Sequence, residues 1–388
     1  MTAAITPFTV AVPEAALEDL RRRLISARWP VAETVGDWSQ GVPLATLRDL
    51  CRYWAVDYDW RRCEAKLNAV RQFTTQIDQL TIHFIHVRSE RADALPLVLT
   101  HGWPGSVLEF LQVLGPLTNP AADGAPDAAA FHVVVPSLPG YGFSGKPTTI
   151  GWGVERIAAA WITLMRRLGY ERFYAQGGDW GAAVATAIAM AAPPECAGIH
   201  LNMPLAFPTP EDLADLTAAE VKAVERMRYY REQDSGYNKL QGTRPQTVGY
   251  ALADSPSGQA AWIYEKFQAW TDNHGAPEDA LGRDEMLDII SLYWLTNSGA
   301  SSARLYWESA SSFQAQRLEL PVGVSLFAQE IFHPSRRWAE RSYPNLVYWN
   351  ELPVGGHFAA FEQPRLFVEE VRACFGAMRR QRGTTPMR

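Results

Sequence analysis

The residues best equipped for chemistry are Gln176-Gly177-Gly178-Asp179-Trp180-Gly181, where a carboxylate stands at the centre of a Gly-x-nucleophile-x-Gly pattern. The run Arg172 to Ala175 leads into it, and the Ala-rich, helix-prone segment Ala182 to Ala192 leads out. This is the strand, sharp turn and helix that displays a nucleophile at the top of a sheet. The glycines suit a strained turn that neighbouring backbone approaches closely. A serine here would attack a carbonyl, but on a saturated carbon it would leave a stable ether. A carboxylate attacking a saturated carbon forms an ester that water can cleave at the aspartyl carbonyl. Asp179 therefore points to an electrophilic saturated carbon, as in an epoxide or a haloalkane. An Asp that opens a helix is also an ordinary N-cap, and the motif alone leaves both readings open.

Covalent catalysis of this kind needs a base for water, a group to orient the base, and donors for the oxyanion. Pro353-Val354-Gly355-Gly356-His357-Phe358 follows the last strand-like run and offers His357 as the base. Val322 to Phe327 runs into Ala328-Gln329-Glu330, which places Glu330 as the orienting acid. The chain order Asp179, Glu330, His357 is nucleophile, acid, histidine. His101-Gly102-Trp103-Pro104-Gly105-Ser106 follows the strand-like Leu95 to Thr100. There the backbone N–H groups of Trp103 and Trp180 would form an oxyanion hole, with His101 reserved for a loop hydrogen bond. Gly140-Tyr141-Gly142-Phe143-Ser144-Gly145 matches GxGxxG, but prolines 136, 139 and 147 frame it and no helix opens from it, which argues against a dinucleotide. His83 and His86 fall on opposite faces of a strand, without clustered carboxylates. No cofactor and no metal is expected.

The elements that must position these groups change character along the chain. Pro13 to Ala27, Leu44 to Trp54 and Trp60 to Phe73 read as helices, a texture that continues to about Ile77. Short apolar, β-prone runs follow at Thr81 to Val87, Leu95 to Thr100, Phe131 to Val135, Phe173 to Ala175, Gly198 to Asn202, Val322 to Phe327 and Leu346 to Trp349. Several are separated by amphipathic segments, which predicts an α/β fold with a mostly parallel sheet covered by helices on both faces. Between Pro208 and Leu318 aromatic-rich helical patterns replace strands, including Val248 to Trp270 and Met286 to Trp307, as a lid would. The division expected is 1–78 (helical extension), 79–207 (core, first part), 208–318 (helical cap) and 319–388 (core, second part).

The 388 residues suffice for one large α/β domain with insertions, and a formal charge of −6 gives no reason to expect nucleic acid or an anionic membrane. The 14 Trp fit aromatic-lined surfaces and packing. Cys51, Cys63, Cys196 and Cys374 lack metal-ligand spacing and read as reduced, buried thiols. Met1 to Pro7 lacks a signal-peptide pattern and no long apolar run occurs, so a cytoplasmic protein without a membrane anchor is expected. The basic Arg379-Arg380-Gln381-Arg382 reads as a frayed, solvated end.

With these residues in place, the chain resembles the microsomal-type branch of the epoxide hydrolases, within the α/β-hydrolase superfamily. The resemblance spans about residues 8 to 375. It is carried by the N-terminal helical region, His101 to Ser106, Gly177 to Gly181, and Gly355-Gly356-His357-Phe358-Ala359-Ala360-Phe361-Glu362. Asp254-Ser255-Pro256, Ala260-Ala261-Trp262-Ile263 and Glu265-Lys266-Phe267 are also similar. The resemblance implies an α/β-hydrolase fold, an epoxide opened to a vicinal diol, and two cap tyrosines that hold and protonate its oxygen. Ser235-Gly236-Tyr237 and Arg304-Leu305-Tyr306 match their segments. The implied partners are a small hydrophobic epoxide and water, and a homodimer is admitted. The implied role is xenobiotic detoxification or secondary metabolism, where some bacterial members open epoxides on bulky polycyclic or enediyne intermediates. The membrane anchor of microsomal relatives is not carried over. The alternative is a haloalkane dehalogenase with the same Asp, His and acid, in which the indoles of Trp103 and Trp180 would hold the halide. The tyrosine pair favours the epoxide, because an alkoxide leaving group needs a proton and a halide does not. A hydrolase-fold receptor without turnover is a rival that an intact triad argues against.

Overall fold

The apolar runs assemble into one sheet. The computed structural model describes residues 4–383; Met1 to Ala3, on which the signal-peptide reading partly rests, lie outside them. The strands are β1 (Thr6–Phe8), β2 (Gln72–Ile77), β3 (Leu80–Val87), β4 (Leu95–Thr100), β5 (Phe131–Pro136), β6 (Phe173–Gly177), β7 (Cys196–Leu201), β8 (Val322–Leu326) and β9 (Leu346–Glu351). Their spatial order is β1-β2-β3-β5-β4-β6-β7-β8-β9. From β5 to β9 neighbours run parallel, while β1, β2 and β3 add antiparallel at one edge. Two helix pairs flank the sheet: Val154–Arg167 with Asp179–Ala191, and Leu111–Thr118 with Pro364–Gly383. This is the α/β-hydrolase arrangement. The chain leaves β4 toward β5 on one side and returns through β6 on the other, so the carboxyl ends of β4 and β6 form the crevice where such sheets place their sites.

The helical texture expected up to Ile77 stops earlier. The third N-terminal helix spans Trp60–Asn68, and Gln72–Ile77 is a strand paired along its length with β3. Val70, Phe73 and Ile77 keep a helix-like spacing, but the aromatic and β-branched content of Phe73-Thr74-Thr75 favours a pleated surface. The Gln72 side chain donates to the carbonyl of Leu67, closing the helix end. Asp78 and Gln79, with φ of 48° and 66°, make the two-residue turn from β2 to β3, a geometry that matches the strand twist. The sequence signal was faint because Gln occupies the position usually held by Gly.

Between β7 and β8 the described residues contain helices and no strand, from Pro210–Leu213 to Gly299–Glu308. Two expected long helices are each divided. Pro245–Asp254 and Pro256–Trp270 part at Ser255, which is extended, as a residue before proline prefers, and whose hydroxyl accepts from the Gly258 N–H. Arg283–Leu295 and Gly299–Glu308 part at Asn297, at φ 50°. The N-terminal helices grip this insertion through Tyr53 to Asp284 (2.8 Å), the Trp54 indole to Ser291 (2.9 Å) and Tyr58 to Asp288 (2.7 Å). At the other end, the helix Pro364–Gly383 takes in Arg379 to Gln381, so that basic stretch is helical and not frayed. The four cysteines are free and buried, as expected. Among the described residues no helix is long and apolar enough to cross a membrane.

Candidate active site

Asp179 begins the helix Asp179–Ala191 immediately after β6, in the left-handed region at φ 49°. Non-glycine residues enter that region at a cost and persist there when their surroundings enforce it. The enforcement is visible at two glycines. A Cβ on Gly177 would lie 2.1 Å from the Gly181 carbonyl, and one on Gly181 would lie 1.9 Å from the Thr100 carbonyl oxygen. Helix, β6 and β4 thus close to backbone contact and push the Asp179 side chain upward. There the Trp103 N–H donates to Asp179 Oδ1 at 2.7 Å. The Trp180 N–H belongs to the first helical turn, whose N–H groups have no acceptor within the helix.

His357 and Glu330 come to the same point from the loops after β9 and β8. His357 Nε2 stands 3.5 Å from Asp179 Oδ2, and its Nδ1 is 2.6 Å from Glu330 Oε1. Glu330, on the turn after β8, also accepts from the Ile331 N–H at 2.7 Å, which fixes its rotamer. Burial works against a charged imidazole here. The charge of Glu330, helped by hydrogen bonding to Asp179 and Glu330, outweighs it and holds the His357 pKa well above its usual value. The loop carrying His357 is clasped by a residue that sequence reasoning passed over. Glu362 accepts from the N–H groups of Gly356, Phe358 and Asp272, tying the histidine loop to the end of the helix Pro256–Trp270. Its position five residues after His357 was the available signal. The Trp270 carbonyl accepts from the His357 N–H at 2.9 Å, and its indole meets the imidazole edge-on at 5.1 Å.

The insertion brings Tyr237 and Tyr306 over Asp179. Together with Asp179 and Trp180 they line a cavity of about 140 Å³ whose apolar walls include Met203, Phe313, Ile331 and Phe332. The Tyr237 ring stacks on the Trp103 indole at 4.9 Å, and the Tyr306 ring meets the edges of Trp180 (4.8 Å) and Tyr237 (5.8 Å). The buried Tyr306 hydroxyl has no hydrogen bond of normal geometry among the described residues; the Tyr237 hydroxyl pairs with that of Tyr230 at 2.9 Å. All seven residues singled out by sequence and resemblance therefore converge on one spot. Two further groups missed by sequence surround it. Lys266, almost fully buried, lies 4.7 Å over the Tyr237 ring, paired with Asp234 at 2.7 Å. Asp234 also accepts from the Trp270 indole.

The groups set aside in the sequence fall elsewhere. The His101 Nδ1 donates to the Gly102 carbonyl and its Nε2 accepts from the Leu138 N–H, while burial pushes its pKa down to about 4, so it is a neutral loop strut. His83 pairs with Ser137 and Gln72, and His86 with Tyr170. No helix opens from the Gly140 to Gly145 loop. Among the described residues no group of three or more His, Cys, Asp or Glu side chains is arranged to hold a metal.

Comparison with known proteins follows the same outline. Residues 5–110 match the family described as epoxide hydrolase N terminus, and residues 96–241 match the alpha/beta hydrolase fold. A protein of Stigmatella aurantiaca, provisionally named an epoxide hydrolase, is 60% identical over 97% of this chain and 86% of its own length. Epoxide hydrolase 1 of Sus scrofa is 35% identical, over 97% of this chain and 90% of its own. Among solved structures, the epoxide hydrolase of Aspergillus niger superposes with a TM-score of 0.88 at 34% identity, covering 97% of each chain.

Proposed function

The chain belongs to the epoxide hydrolase family of the α/β-hydrolase fold, and from that premise we propose that it opens a small hydrophobic epoxide to a vicinal diol through an ester on Asp179. Residues 208–318 act as a cap that supplies Tyr237 and Tyr306. Asp179 Oδ2 attacks a ring carbon, the carbon–oxygen bond breaks, and the tyrosine hydroxyls hold the departing oxygen while it gains a proton. Their burial keeps both phenols protonated, with pKa values well above the usual one. Esterification removes the charge on Asp179, one of the influences that raise the His357 pKa. The imidazole thereby becomes easier to deprotonate at the stage where a base is needed. His357 then takes a proton from water, hydroxide adds to the Asp179 carboxyl carbon, and the oxyanion forms at Oδ1, against the N–H groups of Trp103 and Trp180. Collapse releases the diol with the oxygen that attacked.

The observation that carries this reading is the division of labour on one carboxylate. The Trp103 N–H takes Oδ1 at 2.7 Å, His357 stands 3.5 Å from Oδ2, and two buried phenols close the cavity in front. A cavity of about 140 Å³ is smaller than the roughly 300–1,000 Å³ of sites for drug-sized ligands. That supports compact aryl or alkyl epoxides, and a detoxifying role over bulky polycyclic intermediates. The Trp180 indole N–H, buried without a hydrogen bond of normal geometry among the described residues, is a feature that favours a halide leaving group. A product screen over styrene oxide-like, aliphatic and polycyclic epoxides, with haloalkanes alongside, tests both. Diol from the compact epoxides is expected; halide release with the epoxides untouched would overturn the proposal.

A further inference from the structure

Tyr230 opens a π-helical turn, Tyr230–Asp234, between the helices Ala218–Tyr229 and Gly236–Thr243. Such wide turns are rare and gather at functional sites. This one brings Tyr230 back over the residue seven positions later, so that the hydroxyls of Tyr230 and Tyr237 lie 2.9 Å apart. The Tyr230 oxygen also accepts from the Asn238 side-chain amide at 3.2 Å. With Asn238 donating to Tyr230, and an epoxide oxygen before Tyr237, one arrangement gives every donor an acceptor. Asn238 donates to Tyr230, Tyr230 to Tyr237, and Tyr237 to the substrate. Chains of this kind strengthen each member by polarisation. Among the described residues no hydroxyl backs Tyr306 in this way.

Tyr230 faces two spaces. It lines the cavity that holds Asp179, and it also lines an outer cavity of about 360 Å³, beside Arg226 and the exposed Tyr229. We propose that Tyr230 is a positioning and relay residue, which orients the Tyr237 proton toward the substrate and returns a proton to Tyr237 from the outer cavity. Ring opening moves the Tyr237 proton to the alkoxide, the Tyr230 proton passes to the Tyr237 phenolate, and solvent reaching the outer cavity reprotonates Tyr230. The proton drawn in is matched by the one released when the Asp179 ester is cleaved to carboxylate and alcohol, so the cycle is neutral.

This inference rests on the covalent reading above, and a mutant cycle separates the two. In the His357→Gln background, where adduct on Asp179 accumulates, the rate of adduct formation from styrene oxide is measured by rapid quench and mass spectrometry. Tyr230→Phe should slow it on the order of threefold to tenfold, the worth of one hydrogen bond, and Asn238→Ala should act in the same direction. The loss should persist in a Tyr306→Phe background and vanish in Tyr237→Phe, since Tyr230 works through Tyr237 alone. Equal losses in both backgrounds would reduce Tyr230 to packing, and a parental rate in Tyr230→Phe would overturn the relay. If no adduct forms in His357→Gln itself, the covalent reading and the relay fall together. Melting curves of each variant identify any that lose the fold, in which case Asn238→Ala carries the test.

Discussion

The Trp103 backbone N–H holds Asp179 Oδ1 at 2.7 Å, so the two oxygens of this carboxylate are inequivalent before any substrate arrives. Gly102 makes the grip feasible, since a Cβ there would lie 2.2 Å from the same oxygen. On the proposed mechanism, Oδ1 takes the oxyanion site, and Oδ2 attacks and leaves with the diol. A single turnover in heavy-oxygen water is therefore expected to give diol free of label, with the label appearing in the Asp179 carboxylate. Peptide mass spectrometry of the enzyme and of the product reads both. Label entering the diol directly in the first turnover would exclude the ester.

His357 stands between two carboxylates, and its dependence on Asp179 predicts an effect of pH on the intermediate. The imidazole must be neutral to accept a proton from water, and its pKa is raised by Glu330 and by Asp179 while the latter is charged. Hydrolysis of the ester should slow as pH falls through the His357 pKa of the intermediate, while ring opening continues. Intact-mass measurements should then show adduct accumulating at acidic pH in the parent protein, and at every pH in His357→Gln. Rapid turnover of His357→Gln without adduct would remove His357 from the base role.

Much of this arrangement is legible in the sequence alone, and the reasons are local. Asp179, His357 and Glu330 each sit where a strand of predictable character ends, so chain order and strand position suffice to nominate them. The Trp103 N–H was legible for the same reason, as a backbone group on the loop after β4. Tyr237 and Tyr306 were not, because nothing in their spacing separates them from the other tyrosines, and only the resemblance picked them out. Tyr230 was invisible at either level, since its place depends on a π turn that period-based reading does not anticipate. The strand β2, one in from the sheet edge, was lost to a helix-like spacing that its aromatic and β-branched residues contradict. Lys266 entered only as part of a similar segment, because nothing in the sequence shows that its ammonium is buried against Tyr237 and Asp234.

The tyrosine pair gives a quantitative expectation. On the proposed mechanism each hydroxyl stabilises the same developing alkoxide, so losing one should cost on the order of 10² to 10³ in the rate of ester formation. Changing both to Phe should nearly abolish it while leaving the melting temperature close to the parental value. Rapid-quench measurement in the His357→Gln background isolates the step. A double variant that alkylates at the parental rate would return both tyrosines to packing and revive the haloalkane reading, in which no proton donor is required.

Glu109 links the site to stability. It is buried beside Asp179 and His357, accepts from the Ser106 N–H at 2.7 Å, and burial above all lifts its carboxyl pKa to about 8. In the unfolded chain the same carboxyl titrates near its ordinary value of 4.5. Across that window the folded state holds a proton that the unfolded state has lost, so the contribution of Glu109 to stability is complete below the unfolded pKa and declines as pH rises toward about 8. Glu109→Gln keeps a neutral acceptor for the Ser106 N–H and removes the titration. The parent should therefore lose melting temperature relative to Glu109→Gln between about pH 5 and pH 8, by an amount on the order of a few degrees. A constant difference across that range would mean that the carboxyl is ionised throughout, held so by the imidazolium of His357, whose charge favours that form.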